Sequence, residues 1–174
     1  MAAREPASSR DAWVGRYLTV AVETWPGLGD YELVRKQHAA AVVPITPTDD
    51  VLLVRQFRPP VRDSLLEIPA GLLDVEGEDA LSCASRELLE ETGFRASSIE
   101  FLGGCYLSPG FTDEYAHLFW ARTEERASSE PEDGIELVRV PFAEAAAAAR
   151  AGRFRNVTTA LGILLTEPRA MRAP

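Results

Sequence analysis

GLLDVEGEDALSCASRELLEETGF, Gly71 to Phe94, is the stretch on which the reading of this 174-residue chain turns. Ala80, Leu81, Ala84 and Leu88 recur at helical spacing, which predicts a helix from about Glu78 to Glu91 that Gly93 ends. On that helix Glu87, Glu90 and Glu91 lie three and four positions apart, so their carboxylates share a face. Like charges at this spacing oppose helix formation by about 0.2–0.5 kcal/mol per pair. A hard divalent cation among the carboxylates removes that opposition, which points to metal-dependent chemistry. Three glutamates alone would also suit a solvated helix balanced by Arg86. The order of Gly71, Glu78, Arg86-Glu87, Glu90-Glu91 and Gly93 at fixed offsets is what a solvated face does not require.

That order resembles the signature box of the Nudix hydrolases, G-x5-E-x7-R-E-U-x-E-E-x-G-U, where U is apolar. The match is complete from Glu78 to Phe94, with one residue inserted between Gly71 and Glu78. Gly77 lies in that loop and can absorb the extra length, because glycine tolerates positive φ. The resemblance implies an α/β Nudix fold, a mixed β-sheet sandwiched between α-helices with the box forming a loop–helix–loop. It also implies that the carbonyl of Ala70 coordinates metal. Glu87 and Glu91, one helical turn apart, read as direct ligands, and Glu90 as a bridge to a second ion. Mg²⁺ is the expected ion, with Mn²⁺ or another divalent cation as alternatives. Arg86 and Glu78 are expected to orient the cluster through a salt bridge.

Three segments outside the box narrow the substrate. Arg55-Gln-Phe-Arg58-Pro-Pro60 followed by Glu67-Ile-Pro-Ala-Gly71 is similar to the ADP-ribose pyrophosphatase branch of that family. Arg58, between an apolar strand and two prolines, is placed to grip phosphate with its guanidinium, and Arg55 is a second candidate. Glu67 is a candidate for a ribose hydroxyl or a metal-bound water, and Leu72, just inside the box, is a further substrate-binding candidate. Ser108-Pro109-Gly110-Phe111-Thr112-Asp113-Glu114 reads as a substrate loop, with Ser108 and Gly110 as contacts; Pro109 lies fifteen residues past Phe94, a spacing that resembles the same branch. Enzymes of this branch place a glutamate general base before the strand that here begins at Ile135. Aligned on Ile135-Glu136, that position holds Asp133, with Glu132 beside it. Asp133, Glu132 and Glu90 are therefore the three candidates for the base.

The implied reaction is hydrolysis of the diphosphate of ADP-ribose or a related nucleoside diphosphate sugar, giving a nucleoside monophosphate and a sugar phosphate. Alternatives are another nucleotide sugar, a dinucleotide or an oxidised nucleotide as substrate, or a non-catalytic ADP-ribose sensor. A sensor would be expected to lose box glutamates that this chain keeps. Trp13, Trp25 and Tyr31 lie in the N-terminal portion, where such enzymes often stack adenine and exchange strands across a homodimer.

Composition bounds the rest. The length suits one domain with a substantial core. A net charge of −9 argues against a nucleic-acid backbone as partner. Cys83 and Cys105 lack metal-ligand spacing and read as reduced thiols. MAAREPASSR has no apolar segment, so no secretory leader is expected, and no run approaches the roughly 18 apolar residues of a membrane span. The expected location is the cytoplasm. Residues 1–12 read as a flexible tail and 13–174 as one domain, with possible dimerisation strands over 13–36. Strands are expected at Tyr17–Thr24, Tyr31–Val34, His38–Ile45, Val51–Gln56, Leu65–Ile68, Ile99–Tyr106, Glu114–Ala121 and Ile135–Val140. Two further helices are expected, Pro141–Arg150 and Val157–Thr166, the second capped by Asn156 and stopped by Pro168.

Overall fold

The strands that form the centre of the molecule are apolar on both faces, which fits a sheet covered on both sides. In the computed structural model, which describes residues 4–126 and 133–170, they are β4 (Ala39–Ile45), β5 (Asp50–Arg58) and β9 (Tyr115–Arg126). Alternate residues feed two cores. Val43, Ile45, Val51, Leu53, Leu118 and Trp120 pack on one face with Phe142, Ala145 and Ile163. Val42, Leu52, Phe119 and Ala121 pack on the other with Cys83, Ala84 and Leu88. The first set comes together under α2 (Phe142–Arg150) and α3 (Val157–Ala170), the second under α1 (Ala80–Thr92). The result is the expected mixed sheet between helices.

Seven strands form this sheet, in the order β10-β5-β4-β9-β8, with β6 (Asp63–Glu67) on β5 and β7 (Ala70–Leu72) on β4. β8 is Phe94–Tyr106 and β10 is Ile135–Pro141. β4 and β9 run parallel, while the other pairings are antiparallel. A separate three-stranded sheet is formed by β1 (Ser8–Val14), β2 (Leu18–Trp25) and β3 (Gly29–Lys36).

Two expectations need correction, and one strand was not anticipated. Ser8–Val14 is not a tail: it pairs antiparallel with β2, from Ser8 opposite Thr24 to Val14 opposite Thr19. All seven of its residues are exposed, so the backbone ladder, with Arg35 bonding Asp11 and Ser9, holds it without an apolar pattern that sequence could reveal. Ala70–Leu72 is a short strand, because its backbone bonds β4 opposite Ala39–Ala41. α3 continues through Pro168 to Ala170. Proline removes one helical donor, and Arg169 Nη1 donates to the Leu165 carbonyl in that turn at 3.1 Å. At the other end Asn156 Oδ1 accepts from Thr159 N at 3.0 Å, the predicted cap.

Candidate active site

α1 is framed by its own sequence. Asp79 caps its first turn by accepting from Ser82 N at 2.7 Å, and Gly93 ends it with φ 75°, the left-handed value that glycine adopts without strain. The buried side of the helix carries Cys83, Ala84 and Leu88, and also Glu87 and Glu91, which are only 8% and 5% exposed. These two carboxylates point at β7 rather than at water. Gly77, in the lengthened loop before the helix, has φ 80°.

The close fit there depends on a missing side chain. A Cβ on Gly71 would stand 1.8 Å from Glu87 Oε1, so any larger residue at 71 requires the Glu87 carboxylate to leave its present place against β7. One turn on, Glu91 Oε2 accepts from Ala70 N at 3.0 Å, which fixes the peptide whose carbonyl belongs to Ala70's predecessor and holds Ala70 beside the helix. Cys83 Sγ lies 3.5 Å from the Leu72 carbonyl. Burial, with Glu87 nearby, pushes its thiol up to about 12, so it is a packed, unreactive group.

Arg86 is the hub of the cluster. Its Nε and Nη2 each donate to Glu78 at 2.9 Å, as a fork. Nη1 donates to Glu87 Oε1 at 2.6 Å and to Glu90 Oε2 at 3.0 Å. Bonding to Arg86 holds the Glu78 carboxyl below its ordinary value, and the same bonds raise the Arg86 guanidinium. One guanidinium thus faces Glu78, Glu87 and Glu90, and with Glu91 the four carboxyl groups and one guanidinium carry a formal charge of −3. Hard oxygen donors carrying that excess suit Mg²⁺ or a similar ion. As the side chains stand, no three His, Cys, Asp or Glu groups among the described residues are gathered closely enough to hold a metal. Glu87 and Glu90 are turned to Arg86, and Glu90, whose side chain is half exposed, is the one with room to swing.

Arg58 and Glu67 form a second group just upstream of Ala70. Glu67 is 3% exposed and accepts from Arg58 Nε at 2.9 Å and Nη2 at 2.5 Å, both on Oε2. Asn156 Nδ2 donates to its other oxygen at 2.7 Å. Glu67 is therefore already engaged by protein groups, while the far side of Arg58 remains accessible.

The other candidates are dispersed. Arg55 donates to Glu136 across β5 and β10 at 3.1 Å, in an exposed pair. It lines a cleft of about 290 Å³ with Ala145, Ala148, Arg153 and Phe154, on the α2 side of the sheet and away from α1. The Ser108–Glu114 loop is tied to β3: Val34 N donates to the Phe111 carbonyl at 2.7 Å, and Lys36 pairs with Glu114 at 2.6 Å. Ser108 turns this loop, its carbonyl accepting from Phe111 N and Thr112 N. Gly110 and Pro109 border a cleft of about 270 Å³ with Trp25, Leu28, Tyr31 and Leu33. Trp13 is exposed on β1. Leu72 contributes its carbonyl to Arg86 Nη2, at 3.5 Å, as part of β7. Asp133 is exposed in the turn before β10, and Glu132 lies outside the described residues. Sequence reasoning missed the link from Asn156 to Glu67; the capping signal located Asn156 but said nothing of its second bond.

Comparison with known proteins bears on the family and the fold. Residues 35–161 match the NUDIX domain model. A "Methanol dehydrogenase activator" of Bacillus methanolicus is 39% identical over 118 residues, and an "ADP-ribose pyrophosphatase" of Bacillus subtilis is 36% identical over 118. Each of these alignments covers 66% of this chain and 63% of the relative, so the chain spans less than two thirds of their length. A "GDP-mannose pyrophosphatase" of Yersinia enterocolitica is 36% identical over 124 residues, covering 65% of this chain and 64% of the relative. A crystal structure of an "ADP compounds hydrolase" superposes with a TM-score of 0.77 at 22% identity, covering 97% of this chain and 94% of that one, which is agreement of fold.

Proposed function

Because the chain belongs to the NUDIX domain family, we propose that it hydrolyses the diphosphate bond of a nucleoside diphosphate sugar, with ADP-ribose as the leading substrate. The products are then a nucleoside monophosphate, AMP for ADP-ribose, and a sugar phosphate. One observation carries the reading: the Arg86-centred carboxylate cluster stands against Ala70 and Gly71 with an excess of negative charge. Relatives named for ADP-ribose and for GDP-mannose support the substrate class.

In this reading Glu87, Glu90, Glu91 and the Ala70 carbonyl hold Mg²⁺, with Mn²⁺ as a substitute. When bound, the ion neutralises phosphate charge and makes water a better nucleophile. The chain's own groups do the rest. Arg58 grips a phosphate through the edge that Glu67 leaves open. A carboxylate takes the proton from the attacking water as its oxygen bonds to phosphorus and the bridging P–O bond breaks. Glu90 is the first candidate for that base, since it is exposed beside the buried pair; Asp133 is the second, and Glu132 the third. Trp25 and Tyr31, beside Pro109 and Gly110, offer a flat apolar surface for the nucleobase. Three exposed apolar residues near the β1–β2 turn, Trp13, Val14 and Tyr17, support a homodimer through the N-terminal sheet.

No helix among the described residues is long and apolar enough to cross a membrane. A cytoplasmic location is part of the proposal, resting on two unbridged thiols.

The deciding experiment is a substrate panel with Mg²⁺, scoring nucleoside monophosphate release from ADP-ribose, GDP-mannose, other nucleotide sugars and dinucleotides. AMP release from ADP-ribose at the highest kcat/KM is the expected result. Binding of ADP-ribose without turnover, with either Mg²⁺ or Mn²⁺, would support a sensor instead.

A further inference from the structure

We propose that Asn156 is a positioning residue for Arg58, acting through the buried carboxylate of Glu67; this rests on the assignment of Arg58 to phosphate binding. The two ends of the Asn156 amide do different things. Oδ1 accepts from Thr159 N at 3.0 Å, from Thr159 Oγ1 at 3.1 Å and from the Thr158 hydroxyl, which closes the first turn of α3. Nδ2 donates to Glu67 Oε1 at 2.7 Å. Asparagine is the one common helix cap with both an acceptor and an amide donor on its side chain; serine and aspartate cap about as well, and threonine less well, but none has an amide to offer Glu67.

The link continues in both directions. Glu67 is 3% exposed, and its other oxygen receives Nε and Nη2 of Arg58. These bonds fix one edge of the guanidinium, and Nη1 has no protein partner among the described residues, so it is left to a ligand. From the same helix end, Thr159 Oγ1 accepts from Ile68 N at 3.0 Å, which anchors the strand next to Glu67. A carboxylate this deeply buried keeps one orientation only if both oxygens are bonded. Without the Asn156 donor, Oε1 has to seek another partner and the Arg58 edge is released.

Three variants separate capping from positioning. Asn156→Ser keeps a cap and removes the amide donor without adding charge. Asn156→Asp keeps a cap and turns a carboxylate towards Glu67. The double variant Asn156→Asp with Glu67→Gln reverses the polarity: the amide introduced at position 67 donates to the carboxylate introduced at position 156, while its oxygen still accepts from Arg58. With ADP-ribose and Mg²⁺, both single variants at position 156 are expected to raise KM about tenfold or more, the loss of one bond to a charged group, with kcat changed far less. The double variant is expected to recover most of that loss, and melting curves should show all three folded.

KM values of both single variants within about twofold of wild type, where Arg58→Ala raises KM about tenfold, would overturn the proposal. So would single-variant defects that the double variant does not reduce. Absence of AMP release by the wild-type protein would instead refute the assigned activity. The positioning is then read without turnover, from the Arg58 Nε–H resonance of ¹⁵N-labelled protein. Slow exchange of that proton in wild type and fast exchange in Asn156→Ser support the link, and equal exchange overturns it.

Discussion

The carboxylate of Glu87 occupies the space in which a side chain on residue 71 would stand, 1.8 Å from the position of a Cβ on Gly71. The glycine that opens the sequence motif therefore leaves room for the glutamate sixteen residues later to hold this position. Gly71→Ala should force Glu87 off β7 and break its 2.6 Å bond to Arg86. A displacement of an ångström at a catalytic group costs about 100-fold in rate, so turnover should fall by at least that much. Steady-state kinetics with ADP-ribose test this, and a variant within tenfold of wild type would show that the contact is dispensable.

Glu90→Gln and Glu91→Gln should each remove most turnover while leaving the fold intact. A glutamine at 91 still offers an oxygen to Ala70 N, so the local structure has its partner. Each loses the negative charge that a cation requires, and a fall of about 100-fold or more in kcat is expected. Near-normal rates in both variants at saturating Mg²⁺ would sink the assignment.

The Arg86–Glu78 fork gives a pH-dependent contribution to stability. Bonding to Arg86 lowers the Glu78 carboxyl below the ordinary value of 4.5 in the folded protein. A depressed carboxylate stabilises the fold fully above its unfolded pKa and loses that effect as pH falls through the folded one. The Tm difference between wild type and Glu78→Gln should thus be largest above about pH 5 and shrink as pH drops below 4.5. A difference that grows on acidification would contradict the ion pair.

The two thiols should behave differently. Cys83 is fully buried, and its thiol is pushed up to about 12; Cys105 is only partly buried, although burial raises its thiol too. A disulfide reagent at about pH 8 should modify at most one cysteine in the folded protein and both after denaturation. Rapid native modification of Cys83, located by peptide mapping, would show that the α1–β7 contact opens readily.

Local chemistry made much of the molecule legible from residue order. The apolar period, Gly93 and the acidic face place α1 to within a residue or two, because side-chain periodicity and a C-terminal glycine act over one or two turns; the Asp79 cap came only from the structure. The apolar runs of β4 and β5 likewise announce strands, and the structure shows them buried on both faces. β1 and β7 were not legible, since each is held by backbone bonds to a strand elsewhere in the chain and carries no pattern of its own.

The candidate site divides in the same way. Sequence by itself determined that Arg86 and the glutamates share a helix, because spacing alone sets that. Only the tertiary structure decided that Glu87 presses on Gly71, that Arg55 looks away from α1, and that Glu67 is engaged between Arg58 and Asn156. Those relations join residues as far apart as 89 positions, and they exist only where the packed sheet brings β5, β6 and the start of α3 together.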